Sequence, residues 1–287
     1  MEICLELGNL NLKITTGASF QIEERVLSFL SCNKRIDSVL EIVETDVFPS
    51  LPSQVLGEDL FIRYYEDDAF RYAVVKPGAG GLLCMTVYRP DWSKATMYLL
   101  KDRRYPAISS IGKVIQLLPI RALLARFNTV LLHASQVVYS GVGILFTAPS
   151  GTGKSTQARL WNKATGAFIA CNDRTLVFQR NSVYMSSGFP ADGSDPVYCA
   201  KKQKLGAIVV IRQGPVNSVR RINAFFAAKY LMEQTVADYW DVAQRQAILS
   251  FWFDLLAKHP VYELICTPDQ RAVHCLKRQL LEDKVIN

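Results

Sequence analysis

Apolar and polar positions in the first hundred residues fall into short runs. Segments 2–7, 10–15, 59–66 (DLFIRYYE), 69–75 (AFRYAVV), 82–88 (LLCMTVY) and 96–100 are apolar or alternate, and turn residues such as Pro77, Gly78, Gly80 and Gly81 lie between them. Alternation with a period of two belongs to a strand with one buried face, so this stretch predicts a β-rich region of its own. The pattern then changes. From 111 to 128 (IGKVIQLLPIRALLARFN) the apolar residues recur at helical spacing, with Pro119 as a kink point. We place the boundary near residue 105, giving a β-rich N-terminal region over 1–105 and a second domain over 106–287.

In the second domain strand-like and helical patterns alternate. VLLHASQVV (130–138) and VGILFT (142–147) read as strands joined at Ser140-Gly141, and a helix should begin at about Lys154. FIACN (168–172), 175–179, 183–186, AIVVI (207–211) and 261–265 also read as strands. Helical patterns cover about 222–235, 237–256 and 268–283. The fold class is therefore α/β, with no internal repeat and no low-complexity segment.

Composition narrows the function classes. With 287 residues, 49% hydrophobic and 21% charged, the chain can bury a substantial core. The 33 Lys and Arg exceed the 26 Asp and Glu by seven charges, an excess that suits an anionic ligand such as a nucleotide. KDRR at 101–104, KKQK at 201–204 and RR at 220–221 are short and scattered, as solvated faces are, so no nucleic-acid surface is expected. The seven cysteines (Cys4, Cys32, Cys84, Cys171, Cys199, Cys266 and Cys275) are odd in number and contain no C-x-x-C pair. That pattern suits reduced thiols, with neither a disulfide framework nor a zinc site. The N-terminus has no apolar core of the signal-peptide kind, and no stretch approaches the roughly 20 apolar residues of a membrane span. A cytoplasmic protein with no membrane partner is the expectation. No heptad or symmetric patch fixes an oligomeric state.

One segment carries distinctive chemistry. Ala148-Pro149-Ser150-Gly151-Thr152-Gly153-Lys154-Ser155 has the phosphate-loop spacing G-x-x-x-x-G-K-[ST], with Ala in place of the first glycine. Gly151 and Gly153 let backbone N–H groups turn inward around phosphates, and a helix starting near Lys154 adds its positive end. The candidate ATP-binding residues are Ser150, Gly151, Thr152, Gly153, Lys154, Ser155 and Thr156. Lys154 would reach the β- and γ-phosphates, and the Ser155 hydroxyl would ligate Mg²⁺. Transfer to a hydroxyl further requires a carboxylate that orients the acceptor. Asp173 follows the next strand-like segment, where strand ends border the phosphate crevice, although Asn172-Asp173 also suits a plain turn. His133 stands in an apolar run, where a histidine is commonly a hydrogen-bonded core residue. Asp192 and Asp195, in the loop 188–195, would either approach the metal or form a surface turn. Arg174 and Arg212 would stabilise phosphoryl charge or simply form surface pairs. His259 and His274 have no such context.

The stretch LLHASQVVYSGVGILFTAPSGTGKSTQ resembles the catalytic core of the HPr kinase family, which shares a phosphate-loop architecture with ATP-dependent phosphoenolpyruvate carboxykinase. The likeness includes the histidine 21 residues before the loop lysine, the G-V-G turn and the loop itself. It implies a role for His133 near the γ-phosphate and, for Asp173, the part of base toward a serine hydroxyl. The family has adjacent aspartates where this chain has Asn172-Asp173-Arg174, and its glycine-containing phosphorylase signature has no counterpart here. The chain is more similar to the small HPr kinase-like proteins of peptide-modification clusters, including kinases of lasso-peptide precursors. They share H-A-S, A-P-S-G-T-G-K-S-T, N-D-R and a G-x-P loop. The resemblance implies ATP and Mg²⁺ as cofactors and a serine or threonine of a peptide or small protein as acceptor. A free amino acid or other small metabolite is the alternative acceptor, and a nucleotide-binding regulator without transfer is the alternative class.

Overall fold

The computed structural model describes every residue except 60, 77–81, 102–107 and 192–196. The expected turn residues at 77–81 and the expected boundary near 105 lie outside the described residues. The chain divides into two compact units, residues 1–127 with 238–244, and residues 128–237 with 245–287. The helical stretch after 110 falls in the first of these.

The first unit is built on strands, as the alternation of its sequence implies. They are β1 (Glu2–Leu7), β2 (Leu10–Thr16), β3 (Ser38–Thr45), β4 (Val55–Glu58), β5 (Ile62–Glu66), β6 (Arg71–Val75), β7 (Cys84–Tyr88) and β8 (Lys94–Leu100). They form one eight-stranded sheet in the order β1-β2-β3-β8-β7-β6-β5-β4. All neighbours are antiparallel except β2–β3 and β3–β8. Inward positions such as Leu40, Ile42, Met97 and Leu99 are almost fully buried, while their chain neighbours face outward. β3 and β4 were absent from the sequence expectation. β3 places Glu41 and Glu44 among its apolar positions, and β4 is only four residues long.

Among the described residues this unit also holds three short helices, α1 (Glu24–Leu27), α2 (Ile111–Leu117) and α3 (Ile120–Arg126). The expected kink at Pro119 is a full break. Leu118 is extended (ψ 148°), as the residue before a proline prefers, and Pro119 precedes the first residue of α3. Segment 238–244 belongs to this unit because Asp238, 2% exposed, is held within it. The Tyr64 hydroxyl donates to Asp238 Oδ1 at 3.1 Å, and Arg121 Nη2 lies 3.0 Å from the same oxygen. Burial pushes the Asp238 carboxyl up, against the pull of Arg121.

The second unit contains β9 (Thr129–Tyr139), β10 (Val142–Thr147), α4 (Lys154–Thr165), β11 (Phe168–Cys171), β12 (Arg174–Arg180) and β13 (Val183–Gly188). These are followed by β14 (Gln203–Gln213), β15 (Ser218–Arg221), α5 (Ala224–Gln234), α6 (Val242–Leu256, whose first three residues belong to the first unit), β16 (Val261–Cys266) and α7 (Gln270–Glu282). This is the α/β organisation read from the sequence, with the expected strands and helices present within a few residues. β10, β14 and β16 run parallel, and β9 lies antiparallel to β10, β11 and β12. Helices α4 and α7 cover the sheet through one apolar cluster that includes Phe146, Trp161, Val209, Leu264 and Leu276, all unexposed. Helix α6 starts later than the expected 237 because Asp238 is anchored away from a helical conformation. Among the described residues no helix is long and apolar enough to cross a membrane.

Removing the cation beside a buried carboxylate leaves its charge uncompensated. Arg121→Met is therefore expected to destabilise the first unit by about 3–5 kcal/mol, read by chemical denaturation at neutral pH. Unchanged stability would show that Asp238 is not held by this pair.

Candidate functional site

The glycine-rich loop sits where β10 leaves the sheet. Thr147, the last residue of β10, pairs with Ala134 of β9, and its hydroxyl donates to the His133 carbonyl at 2.9 Å. The chain then turns through Ala148–Gly153 and enters α4. Gly151 (φ +77°) and Gly153 (φ +115°) adopt backbone conformations that residues with a Cβ rarely reach. The Gln157 amide closes the first helical turn onto the Gly153 carbonyl at 2.9 Å.

Lys154 begins the helix with its side chain folded back into the loop. Nζ donates to the Ala148 carbonyl at 2.8 Å and to the Pro149 carbonyl at 3.2 Å, and the residue is 7% exposed. Burial lowers its pKa, and the nearby Asp173 carboxylate acts in the opposite sense. Ser155 and Thr156, one and two residues further on, are half-buried.

Across β9 from β10, strands β11 and β12 run along the same edge, parted by a bend at Asn172-Asp173. Hydrogen bonds to its carbonyls pin this bend. Ala134 N–H donates to the Asp173 carbonyl at 3.0 Å, while the Ser135 hydroxyl donates to the Asn172 carbonyl at 2.9 Å and that of Ser155 at 3.3 Å. The side chain of Asp173 meets His133, with Nε2 to Oδ1 at 3.2 Å, and Arg174 Nε is 3.9 Å from Oδ2. The hydrogen bond with His133 holds the Asp173 carboxyl below its usual range; Arg174 and Lys154 add to this against the effect of burial. The three residues named from sequence as catalytic candidates, His133, Lys154 and Asp173, thus lie within one electrostatic neighbourhood.

Other sequence candidates fall elsewhere. Arg212 Nη1 is 3.1 Å from Glu263 Oε1, and Arg220 holds the other oxygen of that buried carboxylate at 2.6 Å. Arg212 also borders a cavity of about 590 Å³ formed with Thr147 to Thr152, Gln213 and the Tyr230, Glu233 and Gln234 side of α5. A second cavity of about 330 Å³ touches the loop at Gly151 to Gly153 and extends along Thr156, Gln157 and Cys266 to Pro268. His259 packs edge-on to Tyr184 with ring centroids 5.3 Å apart, and His274 stands on α7. Asp192 and Asp195 lie outside the described residues. Sequence reading passed over Ser135 and Thr147, which fix the bend and the loop entry, and over Gln157. The signal for Gln157 was a polar residue on the inward face of a helix whose next inward positions are Ala158 and Trp161.

A family model described as SynChlorMet cassette protein ScmC matches residues 102–271, more than half of the chain. The chain belongs to the ScmC family. The ScmC match spans the loop, His133, Asp173 and both cavities. No curated protein matches the chain. Among solved structures, the Hpr(Ser) kinase/phosphatase from Coxiella burnetii aligns over 54% of this chain and 98% of its own, at 11% identity and a TM-score of 0.32. Agreement at that level assigns no chemistry to this ScmC-family chain.

His133→Ala is expected to raise the Asp173 pKa toward the ordinary value of about 3.9, read by carbon-detected NMR titration of the carboxyl. A depressed native pKa adds stability that is present above the unfolded value and lost as pH falls through the native one. The stability difference between the unsubstituted protein and Asp173→Asn should therefore shrink progressively below about pH 4. A difference independent of pH would contradict the pairing.

Proposed function

We propose that this protein is an ATP-dependent phosphotransferase that moves the γ-phosphoryl group to a serine or threonine hydroxyl, the acceptor being a peptide or small protein. The observation that carries the reading is the His133–Asp173 pair placed within electrostatic reach of the loop lysine, Lys154. A phosphate cradle alone would serve hydrolysis, transfer or switching equally. A carboxylate beside it, ionised at neutral pH, is what transfer to a hydroxyl requires.

In this reading the amides of Ser150 to Ser155 and the Lys154 ammonium hold the phosphates, aided by the positive end of α4. Thr156 continues that turn. Ser155 offers the hydroxyl for Mg²⁺, which when bound neutralises charge on the phosphates. Asp173 accepts a hydrogen bond from the acceptor hydroxyl and takes its proton as the new O–P bond forms and the bond to ADP breaks. Because its pKa is held low, its main contribution is orientation rather than basicity. His133 fixes the carboxylate's direction.

A second reading keeps the chemistry and changes the acceptor to a free amino acid or another small metabolite. The cavity of about 590 Å³ beside the loop is of a size that takes such molecules. A non-catalytic nucleotide-binding regulator is the reading that remains if ATP binds without turnover.

The test uses γ-labelled ATP, Mg²⁺ and the small peptides encoded beside the gene, with the phosphate located by mass spectrometry. Lys154→Ala should abolish transfer and weaken ATP binding. Asp173→Asn should leave ATP affinity within about twofold while lowering transfer by about 10²–10⁴-fold, as loss of a catalytic carboxylate does. Full activity in both variants would overturn the assignment.

A further inference from the structure

Among the described residues, Arg212 is the one cation that lines the larger cavity, of about 590 Å³. Strand register puts it there. Val210, the partner of Thr147 at the end of β10, precedes it by two residues, and side chains two apart leave a strand on the same face. Ile211, between them, points the other way into the apolar cluster under α4 and α7. Arg212 therefore stands on the face away from those helices, just beyond the point where β10 passes into the glycine-rich loop. Gln213 Nε2 donates to the Thr152 carbonyl at 3.4 Å, so the end of β14 and the loop are in contact.

The guanidinium is anchored from its own sheet. Val210, Glu263 and Arg220 are paired in turn across β14, β16 and β15. Glu263 is 1% exposed, with Arg212 Nη1 3.1 Å from one of its oxygens and Arg220 Nη2 2.6 Å from the other. Burial pushes the Glu263 carboxyl up, but Arg220 and Arg212 outweigh it and hold the carboxyl below its usual range. Two cations on one carboxylate leave one positive charge over. Nε and Nη2 of Arg212 have no partner among the described residues, and they form the side-on edge of the guanidinium, a fork that matches two oxygens of a phosphate. This edge belongs to a cavity whose other wall is Thr147 to Thr152, the segment shaped for phosphate. Glu233, the one carboxylate of the lining among the described residues, is part of α5, so an anion is drawn to the loop and β14 rather than to the helix.

We propose that Arg212 donates hydrogen bonds to phosphate oxygens of the nucleoside triphosphate held by the glycine-rich loop, and that Glu263 fixes the guanidinium before the ligand arrives. Arg212 thereby joins Lys154 in countering the charge of the triphosphate, the part arginines play in phosphoryl transfer. The inference rests on the nucleotide reading above.

The test is calorimetric binding of ATP and of inorganic tripolyphosphate, each with Mg²⁺ and at one salt concentration, to the full chain, to Arg212→Gln and to Arg221→Gln. Arg221 is as exposed as Arg212 and is also paired with a carboxylate, Asp283 at 2.9 Å, but it does not line the cavity, so it controls for the lost charge. Arg212→Gln leaves Glu263 paired with Arg220, and the variant keeps its fold. It should weaken both ligands by about tenfold to a hundredfold, the range of one charge-assisted hydrogen bond, whereas Arg221→Gln should change them by about twofold or less. Equal affinities in the two variants overturn the inference and leave the nucleotide reading standing. A loss for ATP with none for tripolyphosphate also overturns it, because the contact would then be to the nucleoside. If the unsubstituted protein binds neither ligand, the nucleotide reading itself fails and this inference falls with it.

Discussion

The hydrogen bonds along β9 position everything near the candidate site. One edge of β9 holds β10 as far as the Thr147–Ala134 pair, and the other edge holds β11, the bend at Asn172-Asp173 and β12. His133 is the first residue beyond the end of β10, opposite the point where the chain departs into the glycine-rich loop. It is also the partner of Arg174, next to Asp173. Strand register thus delivers the loop entry, the histidine and the aspartate to one place. An extra residue at Ala170, where the β11 register shifts, sets where the bend falls. A slip by one residue would send these side chains to the opposite face.

Charge complements that geometry. Burying an ammonium in a protein is unfavourable unless it is paired and hydrogen-bonded. Lys154 meets that condition with two loop carbonyls and the field of Asp173. Two of its three N–H donors are used in this way, so the cation is held at the loop with one donor remaining for an incoming oxygen. Asp173 has the reciprocal benefit, with His133, Arg174 and Lys154 all favouring its ionised form. Lys154 and Arg174 together outweigh Asp173 by one charge, so the cluster is net positive.

The contiguous part of this arrangement was legible in the sequence. The strand VGILFT, the glycines at 151 and 153 and the helix after them depend on local preferences, and each takes the expected conformation. Strands such as β3, β4 and β15 were missed because edge exposure, charged positions or brevity obscures their period. The run 237–256 reads as one helix, yet its first residues are claimed by the buried Asp238 and its partners Tyr64 and Arg121, which lie far away in sequence. That is tertiary structure overriding local propensity. The pinning of the bend by Ser135 could not be read either, because it depends on a register known only once the strands pair.

Parallel pairing explains why the discontinuous walls converge. Thr147 of β10 aligns with Val210 of β14, and Gln213 of β14 aligns with Cys266 of β16, so the three strands point the same way and end in turn along one edge. Segments following the carboxyl ends of parallel strands line a common crevice in α/β sheets. The glycine-rich loop, the loop after β14 and the loop after β16 must then face one another, although more than a hundred residues separate the first from the last. A phosphate-binding element can be encoded in eight consecutive residues. The cavity beside such a loop requires the whole sheet, because Gln157, Gly214 and Cys266 come together only once β10, β14 and β16 align.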